Sequence, residues 1–361
     1  MHKILVIGAG KIGSLITFLL ANSNKYFVYL ADVQPTNPYA KRLSEFKNLK
    51  YVQLDANDAD GFAAFVKEHP VEAVISSLPF YCNVPIAKAA AKHNLHYFDL
   101  TEDVQTTASV LEVARGSKTA FVPQCGLAPG FISIVANHLM KNFPRLDTVK
   151  MRVGALPTNI SNALQYSLTW STDGVINEYG NLCQGVEDGK NVDLLPLEGL
   201  ETIKIDGLTY EAFNTSGGIG SLAHTYYGRV KHISYKTIRY PGHCEKMKFL
   251  MNDLQLNSDR DTLKRILEHA IPKTFQDVVL VYVSVTGEQD DQFVEENYVK
   301  KFYPLTINGH RWSAIQLTTA CGICSVVDIV LSNTDKYQGF VKQEQFSLDD
   351  LTNSRFGEYY K

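Results

Sequence analysis

Through the first 140 residues, apolar side chains fall into short blocks at 3–7, 27–31, 51–54, 73–76, 96–99 and 120–122, most of them separated by stretches with helical periodicity. Strand-length apolar runs alternating with amphipathic helices predict a βαβ series, an α/β doubly wound parallel sheet with helices on both faces. After Pro144 the beat changes. Longer strand-like runs at 149–156, 203–205 and 278–286 lie among turn signals such as Asp206-Gly207 and Gly217-Gly218, with a helix-like stretch at 258–269. This predicts a second, α+β domain on a mixed or antiparallel sheet. A further apolar segment, 312–332, is expected to pack back onto the first domain, and the polar tail 333–361 shows no core stripe. The domain reading is therefore 1–125, then 126–311, then the C-terminal return.

The first strand runs directly into Gly8-Ala9-Gly10-Lys11-Ile12-Gly13, a GxGxxG that opens a helix, which is the context a Rossmann dinucleotide site requires. Gly8 permits the tight turn, Gly10 lets backbone approach a pyrophosphate, and Gly13 lets helix pack on strand, with Lys11 and Ile12 presenting the first N–H groups of the helix. Asp32 ends the second strand, 19 residues after Gly13, where a carboxylate accepts both ribose hydroxyls of adenosine and repels a 2′-phosphate. NAD is the expected cofactor. Asp55 ends the third strand and is read either as an adenine-side residue or, like Asn57, as a helix cap. Ser77-Leu78-Pro79 follows the fourth strand and is expected to form the loop over the nicotinamide ribose, against a plain turn.

Charge excludes several partners. Lys plus Arg number 35 against 38 Asp plus Glu, with no basic stripe for nucleic acid or anionic lipid, so a small molecule is the expected partner. Residues 314–331 are interrupted by Gln316, Thr318, Thr319 and Asp328 and are poorly suited to a bilayer. Six scattered cysteines fit a reducing compartment, and the expected location is cytoplasmic. Cys321-Gly322-Ile323-Cys324 lies in an apolar helical stretch and is read as core packing, and the ten histidines show no metal-ligand spacing. Self-association, as a homo-oligomer such as a dimer, is left open.

Further along, Gly126-Leu127-Ala128-Pro129-Gly130, the stretch 166–171 with Glu178-Tyr179 after it, Glu211-Ala212-Phe213, and above all the block 237–246 (TIRYPGHCEK) resemble the saccharopine dehydrogenase-like family over roughly residues 1–330. Ala128, where saccharopine reductases carry an acid, resembles its lysine dehydrogenase branch more closely. Such enzymes use NAD to oxidise the carbon bearing lysine's side-chain amine; the imine hydrolyses and the aldehyde cyclises. The resemblance therefore implies an NAD-dependent oxidoreductase acting on the carbon–nitrogen bond of an amino-acid substrate. Saccharopine reductases and carboxynorspermidine dehydrogenases share the fold and are the alternatives, and a catalytically silent NAD-binding regulator is the alternative of another class.

Recognition of an amino acid needs a cation for its carboxylate and acceptors for its ammonium. Arg239 is the leading clamp, since guanidinium offers a bidentate fork; an interdomain salt bridge is the competing reading. Thr215 and Ser216, with Gly217 and Gly218, form a small-residue loop that either lends N–H groups to the same anion or simply makes a hairpin. His243 is the most natural proton carrier, against a plain helix cap, and Glu245 is expected either to orient it or to act as a first-turn helix carboxylate. Asp99, at the end of the fifth strand, is the rival base, against an N-cap. Tyr166, Trp170 and Tyr179 are read as walls of the substrate tunnel, between the two domains, or else as ordinary core. For a larger substrate with an extra carboxylate, Arg229 or Lys231 is the candidate second cation.

Overall fold

The computed structural model of the chain describes residues 1–36 and 40–361. It divides into two compact units, Met1–Gly130 with Gln316–Lys361, and Phe131–Ile315.

In the first unit β1 (His2–Ile7), β2 (Tyr26–Asp32), β3 (Leu49–Gln53), β4 (Ala73–Ser76), β5 (His96–Asp99) and β6 (Ala120–Val122) alternate with α1 (Lys11–Asn22), α2 (Ala59–Glu68), α3 (Asn83–Lys92) and α4 (Val104–Val113). Every pairing is parallel, in the order β3-β2-β1-β4-β5-β6. The order reverses beside β1, and at such a switch point the two diverging crossovers leave a crevice at the carboxyl edge of the sheet. Register decides what lines that edge. Ile7 pairs with Ala31 on one side and Ser76 on the other, and Ser76 pairs with Asp99, so Gly8, Asp32, Ser77 and Asp99 lie along the same end. One face of the sheet closes over a core that includes Leu5, Ile7, Val74, Ile86, Tyr97 and Phe121.

The second unit begins with α5 (Phe131–Met140) and β7 (Arg145–Pro157), then α6 (Thr172–Gly180), a β8 (Cys183–Glu187) and β9 (Lys190–Leu194) hairpin, and β10 (Glu201–Ile205) paired with β11 (Leu208–Asn214). Asp206-Gly207 is the turn of that second hairpin, both residues at positive φ. Gly217-Gly218 is not a hairpin: it leads into the short α7 (Leu222–Thr225) before β12 (His232–Arg239), α8 (His243–Lys248) and α9 (Arg260–Ala270). Two long strands, β13 (Asp277–Gln289) and β14 (Gln292–Phe302), and a small ribbon of β15 (Leu305–Ile307) and β16 (His310–Trp312) complete it. The sheet order is β10-β11-β12-β7-β13-β14, mixed because β12 and β7 run parallel. Helices α6, α8 and α9 close over a core of Tyr166, Ile176, Tyr179, Phe213, Met247 and Leu263 among others.

The 18-residue α10 (Ala314–Leu331) starts on Asp277, whose carboxylate accepts from the Ala314 and Ile315 N–H groups at 2.7 and 3.0 Å. It is apolar enough by length and composition to cross a bilayer, and 83% of it is buried. Within the first unit Gln316 Nε2 donates to the Lys11 carbonyl at 3.0 Å, at the start of α1, and Cys321 and Cys324 are packed in the core. The tail also belongs to that unit. β17 (Gly339–Phe340) adds a parallel strand beside β6, and α11 (Leu348–Asn353) follows, with Tyr337, Val341, Phe346, Leu351, Phe356 and Tyr360 all buried. Apolar residues spaced singly among polar ones show no stripe in the sequence, which is why this docking is invisible there.

Candidate functional site

The first unit offers a nucleotide cradle made largely of absent side chains. Gly8, at φ +101°, passes so close under β4's loop that a Cβ would meet the Ser77 carbonyl at 2.8 Å and Leu78 Cδ2 at 3.0 Å. At Gly13 a Cβ would stand 1.8 Å from the Gly8 carbonyl oxygen. Gly10 differs: a Cβ there would meet nothing within 4 Å, and as N-cap of α1 it supplies no side-chain hydrogen bond. The 12-residue helix thus points uncapped N–H groups into open space, an arrangement suited to phosphate. Asp32 stands beside it, half-buried, with one oxygen accepting from Ala9 N at 2.8 Å and the other from Gln34 N at 3.1 Å. Each carboxylate oxygen keeps a lone pair for a ribose hydroxyl. Ser77, Leu78 and Pro79 are half-buried and pinned through Ser77 N to the Ile7 carbonyl at 2.9 Å. These residues fit a pyridine dinucleotide.

Two acids in this unit do something else. Asp55 is exposed and ties a turn by accepting from Asn57 N at 2.9 Å; the cap of α2 is Asp58, so neither Asp55 nor Asn57 holds that position. Asp99 is fully buried and accepts from Tyr97 Oη (2.7 Å), Thr101 N (2.9 Å) and Gln124 N (3.1 Å). Burial pushes its carboxyl up to about 6, partly offset by those three donors. With no exposed surface it braces the β5–α4 turn and the start of the Gly126–Gly130 loop rather than facing a substrate, and the cap of α4 is Asp103. Cys125 is equally enclosed, its thiol donating to the Val122 carbonyl.

The second unit brings Tyr166, Tyr179, Arg239 and His243 together. Arg239 ends β12 and is 3% exposed; Nε donates to Tyr179 Oη at 2.8 Å, Nη1 to its own neighbour's carbonyl, Ile238 O, at 2.9 Å, and the guanidinium lies over the Tyr166 ring at 5.0 Å. Among the described residues no carboxylate forms an ion pair with it. Burial works against the charge, yet Tyr179, Tyr166 and the Glu178 carboxylate hold its pKa above the ordinary arginine value. Two of its five N–H groups are used, which leaves a cationic edge in reserve.

His243 is not the free base its position suggested. Nδ1 lies 2.8 Å from the Leu164 carbonyl, which can only accept, so that nitrogen carries the proton. Nε2 therefore accepts from Tyr179 Oη at 3.2 Å, and Tyr179 in turn accepts from Arg239. Burial first, and then Arg239 and Lys246, push the imidazole down to about 3. It is neutral at every physiological pH, with both nitrogens engaged. Glu245 does not orient it: that side chain is exposed, and the orienting partner is Leu164.

The remaining candidates sort by what they touch. Ser216 N–H is used by the Glu178 carbonyl at 2.9 Å and its hydroxyl by Asn177 O, while Thr215 pairs with Thr237, so this loop has no N–H at Ser216 left for an anion. Trp170 packs its ring where a Gly174 Cβ would stand, 2.2 Å away, at the first turn of α6. The hydroxyls of Tyr166 and Thr169 are buried close to one another and to Trp170 without well-formed hydrogen bonds, so a polar ligand can engage them. Lys231 lies just beyond the opposite end of β12, eight residues at about 3.3 Å each from Arg239 and so roughly 26 Å away, and with Arg229 two residues before it lines a groove of about 640 Å³ that includes Arg145 and Phe293. They supply no second cation beside Arg239; the nearer one is Lys246, which donates to Gly242 O. Glu178 and Glu211, both buried, are functional candidates that the sequence does not single out. The usable signal was an acid inside a buried strand, Tyr210-Glu211-Ala212-Phe213.

Sequence profiles of known families match both units. The saccharopine dehydrogenase NADP binding domain matches residues 4–121 and the saccharopine dehydrogenase C-terminal domain residues 126–357. Among curated proteins, saccharopine dehydrogenase [NADP(+), L-glutamate-forming] of Pyricularia oryzae is 24% identical over 262 residues, 70% of this chain and 57% of that protein. The Schizosaccharomyces pombe protein of the same description is 24% identical over 210 residues, 56% of this chain and 46% of its own length. The chain thus matches about half the length of these relatives. A solved apo saccharopine dehydrogenase (L-Glu forming) from Saccharomyces cerevisiae shares the fold at a TM-score of 0.79 and 16% identity, over 100% of this chain and 98% of that one.

Proposed function

Since this chain belongs to the saccharopine dehydrogenase family, we propose that it is a dehydrogenase that oxidises the carbon–nitrogen bond of an amino acid, with NAD as cofactor and the side-chain amine of L-lysine as the group oxidised. The observation that carries the proposal is Arg239, a buried guanidinium without a carboxylate partner among the described residues. Tyr179, Tyr166 and Glu178 keep this guanidinium charged despite its burial, and its unused N–H groups can take a substrate carboxylate in a bidentate grip that fixes the substrate's direction.

When bound, the nicotinamide supplies hydride acceptance. This chain's residues hold and orient. The N-terminus of α1 receives the pyrophosphate, Asp32 the adenosine ribose, and the Ser77 loop the far ribose. Arg239 grips the substrate carboxylate, and the Tyr166 and Thr169 hydroxyls offer acceptors to its ammonium. The amine carbon loses a hydride and the nitrogen a proton; water adds to the imine, ammonia leaves, and the aldehyde cyclises. His243, neutral and doubly engaged, takes no part in the proton's path, which leaves solvent as its acceptor. Asp32 supports NAD: a 2′-phosphate brought against its carboxylate is repelled, whereas the relatives above are described with NADP(+).

Saccharopine is the second reading, favoured by those same descriptions and by Lys246, a further cation close enough to depress His243. An absorbance assay over L-lysine, saccharopine and carboxynorspermidine, each with NAD and NADP, tests both. NADH formation with lysine supports the proposal; turnover confined to saccharopine moves the assignment to the second reading, and silence with every amino acid overturns both.

A further inference from the structure

We propose that Glu211 is a positioning residue for the Arg239 clamp, acting through the start of α8; the inference rests on reading Arg239 as the group that grips the substrate carboxylate. Glu211 is the antiparallel register partner of Arg239 between β11 and β12. Its carboxylate, 6% exposed, accepts from Gly242 N at 2.7 Å and Cys244 N at 2.6 Å. One residue thus ties both ends of the segment from Arg239 to Cys244, the first through its backbone in the ladder and the second through two charge-assisted hydrogen bonds of its carboxylate.

An ordinary helix cap comes from the residue at the N-cap itself, usually Ser, Thr, Asp or Asn. Here that residue is Gly242 at φ +89°, a left-handed turn rather than the extended conformation of an ordinary N-cap, and glycine has no side chain to cap with. The bend that aims His243 therefore removes the local cap, and Glu211 replaces it from another strand. Within the pinned turn, the His243 imidazole is held between Leu164 O and Tyr179 Oη, and Tyr179 receives Arg239 Nε. The hydrogen bonds form a closed circuit from Glu211 through the turn, His243, Tyr179 and Arg239 back to the β11–β12 ladder. Loss of the carboxylate leaves the N–H groups of Gly242 and Cys244 unpaired and lets the turn relax, which moves the imidazole first and the guanidinium with it.

The full chain carrying Glu211→Ala or Glu211→Gln tests this with two readouts. Long-range nitrogen–proton NMR of histidine-labelled protein without substrate, with the His243 signal assigned by its loss in His243→Asn, reports the imidazole directly. Wild type is expected to show one Nδ1–H tautomer that does not titrate above pH 5; Glu211→Ala is expected to mix tautomers and begin to titrate there, with Glu211→Gln intermediate because its amide oxygen keeps one of the two bonds. In turnover of L-lysine with NAD, KM is expected to rise about tenfold or more in Glu211→Ala with kcat within about threefold, while the Kd of NADH stays within about twofold. A folded Glu211→Ala with the wild-type His243 signal and KM overturns the proposal, and Glu211→Gln decides if the alanine variant does not fold. Should wild type leave lysine untouched, the lysine reading fails while the His243 signal still decides this one.

Discussion

The two candidate sites are built by opposite means. Around Gly8, Gly10 and Gly13 the first unit works by leaving side chains out, so that backbone N–H groups and a helix end face the ligand. Around Arg239 the second unit works by burying side chains from β11, β12, α6 and α8 and the loop at Leu164, and holding each by another. A cradle made of backbone tolerates no added atom but needs no exact partners. A pocket made of a relay fails whenever one partner shifts.

The first way to break the comparison is Gly13→Ala. With the new Cβ 1.8 Å from the Gly8 oxygen, the turn has to open, and NADH binding measured by fluorescence is expected to fall by more than about a hundredfold, with a lower Tm. Gly10→Ala, where nothing lies within 4 Å, is expected to keep Tm within a few degrees, on the order of 2 °C, and still weaken NADH, because only the ligand occupies that space. Next is Arg239→Met, which removes a bidentate grip worth about 3–4 kcal/mol; kcat/KM for the amino acid is expected to drop a hundred- to thousandfold while NADH affinity holds. Smaller is Asp32→Ala, where loss of ribose acceptors is expected to weaken NAD about tenfold and narrow its preference over NADP, as read from the two Kd values.

The smallest effect lies in the pH dependence of stability. His243 falls to about 3 in the folded chain against an ordinary 6.5, so the unfolded chain binds the extra proton and stability is lost as pH drops from about 6.5 towards 3. Asp99 runs the other way. At about 6 against 3.8, the folded chain holds the proton, and stability is lost as pH rises from about 4 to 6. The two slopes, each at most about 1.4 kcal/mol per pH unit, oppose one another in that window. Calorimetry of Asp99→Asn is expected to show Tm rising with pH between 4 and 6 more steeply than in wild type, and of His243→Gln to show it falling.

The same contrast explains what could be read from the sequence. The Rossmann half was legible because its signals are local: a glycine turn, apolar strand runs, and an acid ending the next strand. The mixed sheet was legible in class but not in full. β12 alternates polar and apolar residues as HISYKTIR, too weak an apolar run to stand out as a strand, and β14 carries charges along an edge. His243 and Asp99 look like catalysts for one reason, that a titratable residue near a motif reads as one until its partners are known, while Glu245 takes the second of its two expected roles, a first-turn carboxylate of α8. Leu164 O, Tyr179 and Arg239 decide what His243 does, and they come from three separate segments. Glu211 was hidden because its partners are two backbone N–H groups on another element.

The central claim is that Arg239 exists to hold a substrate carboxylate, and the most direct measurement compares kcat/KM for L-lysine with that for 1,5-diaminopentane, which keeps the amine and lacks the carboxylate. Wild type is expected to favour lysine by about a hundredfold or more, and Arg239→Met to lose that preference. Equal rates for the two amines in wild type, or an undiminished preference in the variant, would contradict the account.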